Sequence, residues 1–282
     1  MKFSKATRKK ARLRLAITGP SGSGKTEGAL RVATGLGGPI AVIDTEHESA
    51  SLYSDRFEFD SLSLTAPYTP ERYIEAITEA EKAGYAVLII DSMSHVWNGS
   101  GGCLEINERI ANARYKGNTW SAWNETTPRY RALIDKILAS SLHIIATMRS
   151  KTETVQGEGK KIMKLGMKAE TRDGMEYEFT TVIELEHDSH CATASKDRTR
   201  LFNGDPRPLS TETGEMLLNW LESGEATPEP QQPQKAELPA PWETIAQSVR
   251  DGKRTAEYIR NKYNLSVEQD NELDAIEKEM QQ

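Results

Sequence analysis

Gly19-Pro20-Ser21-Gly22-Ser23-Gly24-Lys25-Thr26 fits G-x-x-x-x-G-K-[ST] at every fixed position. The apolar run before it, Leu13 to Thr18, predicts a short buried strand. The run after it, Lys25 to Thr34, predicts a helix that stops at the Gly35–Gly38 cluster. Strand, glycine loop and helix in this order are the context of a phosphate-binding loop rather than of an ordinary glycine-rich turn. Glycines let the backbone curl so that several N–H groups converge on anionic oxygens. The new helix brings its positive end to the same point. From there Lys25 can reach the β- and γ-phosphates of a nucleoside triphosphate, and the Thr26 hydroxyl can ligate Mg²⁺.

The chain has 282 residues, 37% of them hydrophobic, enough for one good core plus something smaller. No apolar run approaches the ~18 residues of a membrane span. Residues 1–14 carry seven Lys/Arg and no acid, without the apolar segment of a signal peptide. Cys103 and Cys191 have no metal-type spacing and are expected to be free thiols in a cytoplasmic protein. The net charge of −6 resides in the tail: residues 221–282 hold thirteen Asp/Glu against seven Lys/Arg, and the rest is balanced. That asymmetry leaves room for local basic loops that contact nucleic acid.

The core reads as alternating strand and helix. Expected strands are Leu13–Thr18, Pro39–Asp44, Glu58–Leu64, Tyr85–Asp91, Ser141–Met148, Tyr177–Glu186 and Cys191–Ser195. Expected helices are Lys25–Thr34, Pro70–Ala83, Leu104–Ala113, Pro128–Ala139 and Thr211–Glu222. Continuous apolar strands such as Val87-Leu88-Ile89-Ile90 suit a mostly parallel central sheet with helices on both faces, and the closely spaced later strands suit antiparallel pairing at one side. The organisation expected is a basic arm (1–12), a P-loop nucleotide-binding core (13–222), a Pro/Gln/Glu-rich linker (223–241) and a small acidic helical tail (242–282).

Asp91, ending an apolar strand, is placed to hold the magnesium ion unless it merely caps the next turn. Ser92 follows it, so the carboxylate that polarises water must come from elsewhere, and Asp44-Thr45-Glu46-His47-Glu48 is the candidate supplier. Here the chain resembles a known family. Ala41-Val42-Ile43-Asp44-Thr45-Glu46-His47 is similar to the strand end of RecA recombinases that carries the water-activating Glu, and Leu88-Ile89-Ile90-Asp91-Ser92 resembles the same family's second motif. The resemblance implies a RecA-like P-loop fold over about residues 13–221, with ATP and Mg²⁺ as cofactors and Glu46 as the base, Glu48 being the nearby alternative. Ser195-Lys196-Asp197-Arg198 resembles the cation pair that such subunits insert into a neighbour's ATP site, which makes Lys196 and Arg198 catalytic in a homo-oligomer.

By position, the resemblance also implies two single-stranded-DNA loops. The first is Arg114–Trp123, with Lys116, Trp120 and Trp123. The second is Arg149–Arg172, with Arg149, Lys151, Lys160, Lys161 and Lys164. Aromatic faces beside cations can stack unpaired bases, although packing against the core or a neighbouring subunit is an equally physical use of the two Trp. The family's Gln at the end of the central strand is absent; Ala146-Thr147-Met148-Arg149 stands there, with Thr147 or Arg149 as the substitute. The chain looks most like short bacteriophage RecA-like ATPases of recombination and strand annealing. A ring-forming helicase-type accessory ATPase and a nucleotide-gated protein-binding module are the alternatives. The tail could dock a single-strand-binding protein.

Overall fold

Alternation of side chains along each strand decides the architecture. In β4 (Val87–Asp91) Val87 and Ile89 face one way and Leu88 and Ile90 the other, and all four are buried. Such a strand needs a layer on both faces. A computed structural model describes residues 10–156, 162–204, 206–224 and 238–280. Among them one sheet runs in the order β3 (Asp60–Ser63), β2 (Ile40–Asp44), β4, β5 (His143–Gln156), β1 (Arg14–Gly19), β7 (Thr181–Leu185), β8 (Cys191–Asp197), β9 (Arg207–Pro208), and β6 (Ile162–Ala169) pairs with β5 off this path. The strands from β3 to β7 are mutually parallel; β8, β9 and β6 are antiparallel additions. This is the RecA-like α/β architecture expected from the sequence.

On one face lie α1 (Lys25–Leu36) and α6 (Thr211–Glu222), over Leu15, Ile17, Val42 and Ile89. The two helices touch through glycine: a Cβ on Gly214 would collide with the Val32 carbonyl oxygen, and one on Gly35 with that of Thr211. On the other face lie α2 (Pro70–Lys82), the short α3 (Ser94–Asn98), α4 (Cys103–Arg114) and α5 (Thr119–Ala139), with Tyr73, Ile77, Leu133 and Ile137 in the core. Buried Arg14 ties β1 to the end of α5, donating to the carbonyls of Leu142 (2.7 Å) and Leu138 (3.1 Å). Burial and the neighbouring Arg12 lower its pKa to about 10.

Two expectations need correction. The helix expected from Pro128 begins nine residues earlier, at Thr119, where Asn118 Oδ1 accepts from the Ser121 amide at 3.1 Å. Pro128 is tolerated inside because the buried stripe Ala122, Thr126, Tyr130, Leu133, Ile137 runs past it. Trp120 and Trp123 therefore ride on a helix, and only residues 115–118 form the loop before it. The second correction concerns Arg149–Arg172, read as a loop. There β5 continues to Gln156 and pairs with β6 as an antiparallel ribbon, Ser150 opposite Ala169 and Lys151 opposite Lys168.

The chain divides into two compact units, Met1–Ala226 and Thr227–Gln282. In the second, α7 (Trp242–Arg250), α8 (Ala256–Lys262) and α9 (Val267–Met280) close over Ile245, Val249, Ile259, Tyr263, Leu273 and Ile276. Arg260 on α8 pairs with Asp270 (2.6 Å), Asp274 and Glu277 (2.8 Å) on α9. Among the described residues no helix is long and apolar enough to cross a membrane.

Candidate nucleotide-binding and hydrolysis site

The parallel strands point their carboxyl ends at one crevice, where ligands of open α/β sheets bind. β1 delivers Gly19 through Thr26 there, with Gly22 (φ 80°) and Gly24 (φ 85°) in the left-handed region that side chains disfavour. Lys25, 8% exposed, donates to the Pro20 carbonyl at 2.7 Å. Burial lowers its pKa, against the raising influence of Asp91 and Glu46, and Arg149 lowers it further. Pro20 and Ser21 complete the turn, and the buried Ser23 hydroxyl has no hydrogen-bond partner among the described residues.

Asp91 at the end of β4 is 2% exposed. Its Oδ2 accepts from Thr26 Oγ1 at 2.6 Å and its Oδ1 from Thr147 Oγ1 at 2.5 Å. Burial pushes its carboxyl up; the two threonine bonds work against that, and Glu46 and Asp44 push the same way as burial. A buried carboxylate with hydroxyl donors, and no salt-bridged cation among the described residues, suits a divalent ion. Mg²⁺, which favours oxygen donors and keeps several waters, fits Thr26 and Asp91.

Glu46 follows the end of β2. Asp44 shapes that turn, accepting from the amides of Glu46 (2.6 Å) and Ala50 (2.8 Å). The Glu46 side chain is 26% exposed, and Oε1 accepts from Arg149 Nε at 2.9 Å. Burial alone would raise its pKa, but the Arg149 bond and charge, with His95 and Lys25, outweigh it and the pKa is lowered. Glu48 sits one turn on, exposed, at φ 64°. Beneath Glu46 lies a network that sequence reading missed. Thr45 Oγ1 meets His95 Nδ1 at 2.6 Å and accepts from the Ser92 amide at 2.8 Å, and His95 stacks on Tyr68 with centroids 5.0 Å apart. Only the polar Thr directly after Asp44 hinted at it.

The other candidate residues lie apart. Lys196 and Arg198 are near the start of β7, Lys196 opposite Val182 with its Nζ donating to the Tyr177 carbonyl, and the Arg198 amide donating to Thr180 O at 3.2 Å. The P-loop lies beyond the opposite end of that strand, so neither cation is close to its own chain's Lys25. Lys116 is exposed at φ 51°. Trp120 is 86% exposed, whereas Trp123 stacks on Trp97 at 5.5 Å with the Arg172 guanidinium 5.6 Å from its ring. These residues, with Arg131, line a groove of about 500 Å³. Lys151 pairs with Glu170 at 3.5 Å. Lys160, Lys161, the side chain of Lys164, residues 1–9 of the basic arm and most of the linker lie outside the described residues.

Sheet order, glycine loop and the Thr26–Asp91 pair define a P-loop nucleotide site on a RecA-like α/β sheet. A family model described as AAA domain matches residues 11–216, and the chain belongs to that family. Membership implies nucleotide binding and ATPase chemistry, typically with Mg²⁺. Among solved structures, the "Crystal structure of the RadB recombinase" is similar, with 16% identity and a TM-score of 0.39, covering 76% of this chain and 91% of that one. No curated protein matches the sequence.

Proposed function

We propose that this protein hydrolyses ATP in a DNA-dependent manner, assembling on single-stranded DNA to promote homologous recombination or strand annealing. The observation that carries the reading is the convergence of Lys25, Thr26, Asp91 and Glu46 at the carboxyl ends of β1, β2 and β4. In this reading Lys25 and the loop amides hold the phosphates, and Thr26 and Asp91 hold Mg²⁺. When bound, Mg²⁺ would neutralise negative charge on the phosphates. Glu46 accepts a proton from the attacking water as its oxygen bonds to the γ-phosphorus and the bond to the β-phosphate oxygen breaks. Lys196 and Arg198, remote from their own P-loop, act on a neighbouring subunit's ATP. The exposed Trp120 and the cations of the β5–β6 ribbon contact DNA, with stacking worth about 1–3 kcal/mol per base. The acidic tail docks a partner such as a single-strand-binding protein.

The test is steady-state ATP hydrolysis with and without an oligonucleotide. Stimulation by single strands, together with a fall of ~10²–10⁴-fold in Glu46→Gln while nucleotide still binds, is the expected result. Hydrolysis indifferent to DNA would refute DNA dependence, and a dead Glu48→Gln beside an active Glu46→Gln would move the base by two residues.

A further inference from the structure

The turn that joins β7 to β8 lies against the P-loop, because β7 runs beside β1. Thr18 is opposite Glu184, and a Cβ on Gly19 would stand 3.0 Å from the Leu185 carbonyl oxygen. The turn, Glu186 to Cys191, is closed by its own hydrogen bonds. The Glu186 amide donates to the Cys191 carbonyl at 3.0 Å, and the His190 amide to the Glu186 carbonyl at 3.1 Å. Ser189 Oγ donates to Glu186 Oε2 at 2.5 Å and accepts from the Cys191 amide at 3.1 Å. So braced, the turn carries two imidazoles to two left-handed glycines of the loop. A Cβ on Gly22 would lie 3.4 Å from His187 Nε2, and one on Gly24 would lie 3.4 Å from His190 Nδ1. In both places the nearest atom is a ring nitrogen. Adjacent residues aside, no other residue comes within 4 Å there among the described residues. His187 is oriented by Asp188, whose Oδ1 is 2.8 Å from Nδ1.

A turn that merely packed on the loop would present apolar carbon. This one presents exposed ring nitrogens to the backbone whose amides gather phosphate. Glycine at 22 and 24 leaves no side chain between ring and loop. Glu27, on the first turn of α1, is held below the usual carboxylate range by Arg31, against burial, with Arg56 and His190 adding to the effect, so the His190 ring stands beside the start of the helix. We propose that His187 and His190 contact the nucleotide, hydrogen-bonding the polyphosphate of the bound triphosphate from outside the loop and adding a second wall of donors to the loop amides and Lys25. The inference rests on the reading of residues 19–26 as the triphosphate-binding loop. An ionised carboxylate only accepts, so Asp188 takes the Nδ1 proton of His187, and Nε2 donates to a phosphate oxygen once the ring is an imidazolium. His190 can donate from Nδ1 in a neutral tautomer.

The experiment compares full-length wild type, His187→Ala/His190→Ala and His187→Gln/His190→Gln by calorimetric titration. The ligands are MgATP and magnesium tripolyphosphate, which has the phosphates and no nucleoside, and ligand-free melting verifies folding. The double-alanine protein should bind both ligands roughly tenfold more weakly, by the same factor for each, at an unchanged ligand-free midpoint. Glutamine, which keeps an N–H donor on a side chain of similar reach, should recover part of the loss. A double-alanine protein that binds tripolyphosphate as tightly as wild type overturns the proposal. So does a loss of affinity that comes only with a lowered ligand-free midpoint and that glutamine does not recover, since that is the mark of a packing brace. If wild type binds neither ligand, the reading of the triphosphate loop falls and the proposal with it. If wild type binds and the double-alanine protein matches it, only the role of the two histidines falls.

Discussion

Thr147→Val tests the metal site without touching a metal ligand. Thr147 is fully buried, and its Oγ1 lies 2.5 Å from Asp91 Oδ1. Valine keeps the β-branched shape inside β5 and removes only the donor. A hydrogen bond to a charged acceptor is worth about 1.5–3 kcal/mol, and its loss leaves Asp91 with the Thr26 hydroxyl as its remaining side-chain donor among the described residues. Burial already pushes the Asp91 carboxyl up, with the Thr147 bond as the largest opposing influence, so valine moves it further up. The ionised form holds the cation. Metal-dependent nucleotide binding should therefore fail at a higher pH in the variant than in wild type as the solution is acidified. At neutral pH, the Mg²⁺ concentration needed for half-maximal binding of a fluorescent ATP analogue should rise about 10–100-fold, the usual cost of losing a ligand's supporting bond. The Mg²⁺-free protein should melt lower by roughly 2–4 °C per kcal/mol lost, as expected for a core of this size. A Mg²⁺ requirement within about twofold of wild type, with an unchanged pH limb, would show that Asp91 does not hold the metal or that Thr147 does not support it.

Two further outcomes are expected. Because Lys196 and Arg198 stand at the far end of β7 from their own P-loop, mixing Lys196→Ala/Arg198→Ala protein with Glu46→Gln protein should restore part of the hydrolysis each lacks; full activity of the double-alanine protein as an isolated monomer would remove the intersubunit role. Gly214→Ala should lower the melting temperature, since a Cβ would collide with the Val32 backbone oxygen and overpacking costs about 1–3 kcal/mol, more than the ~1 kcal/mol gained in helix propensity. A calorimetric midpoint equal to or above wild type would mean that α1 and α6 separate freely.

The P-loop was legible because its chemistry is local. Eight consecutive residues set the turn, present the lysine and start the helix, and Gly22 and Gly24 carry the backbone conformation that made glycine informative. The parallel sheet was legible in the same way, since a strand buried on both faces has to be apolar at every position, as Val87 through Ile90 are. The start of α5 was not. Pro128 looks like a helix beginning by its own preference, and only the buried stripe on either side of it, packed under α2 and α4, overrides that preference. Nor was the ribbon, whose pairing partners are set by the register of β5 against β6 rather than by either segment alone. Thr147 and Arg149, the two candidates for the missing Gln, make different contacts in the tertiary structure. Residues two apart on a strand share a face, and from β5 Thr147 reaches Asp91 on the neighbouring strand while Arg149, at the carboxyl end of the parallel sheet, reaches Glu46 just past the end of the next strand but one. Sequence determined which residues could carry phosphate and metal chemistry. Which carboxylate meets which donor depended on strand order, because contacts between residues 56 and 103 positions apart exist only once the sheet has formed.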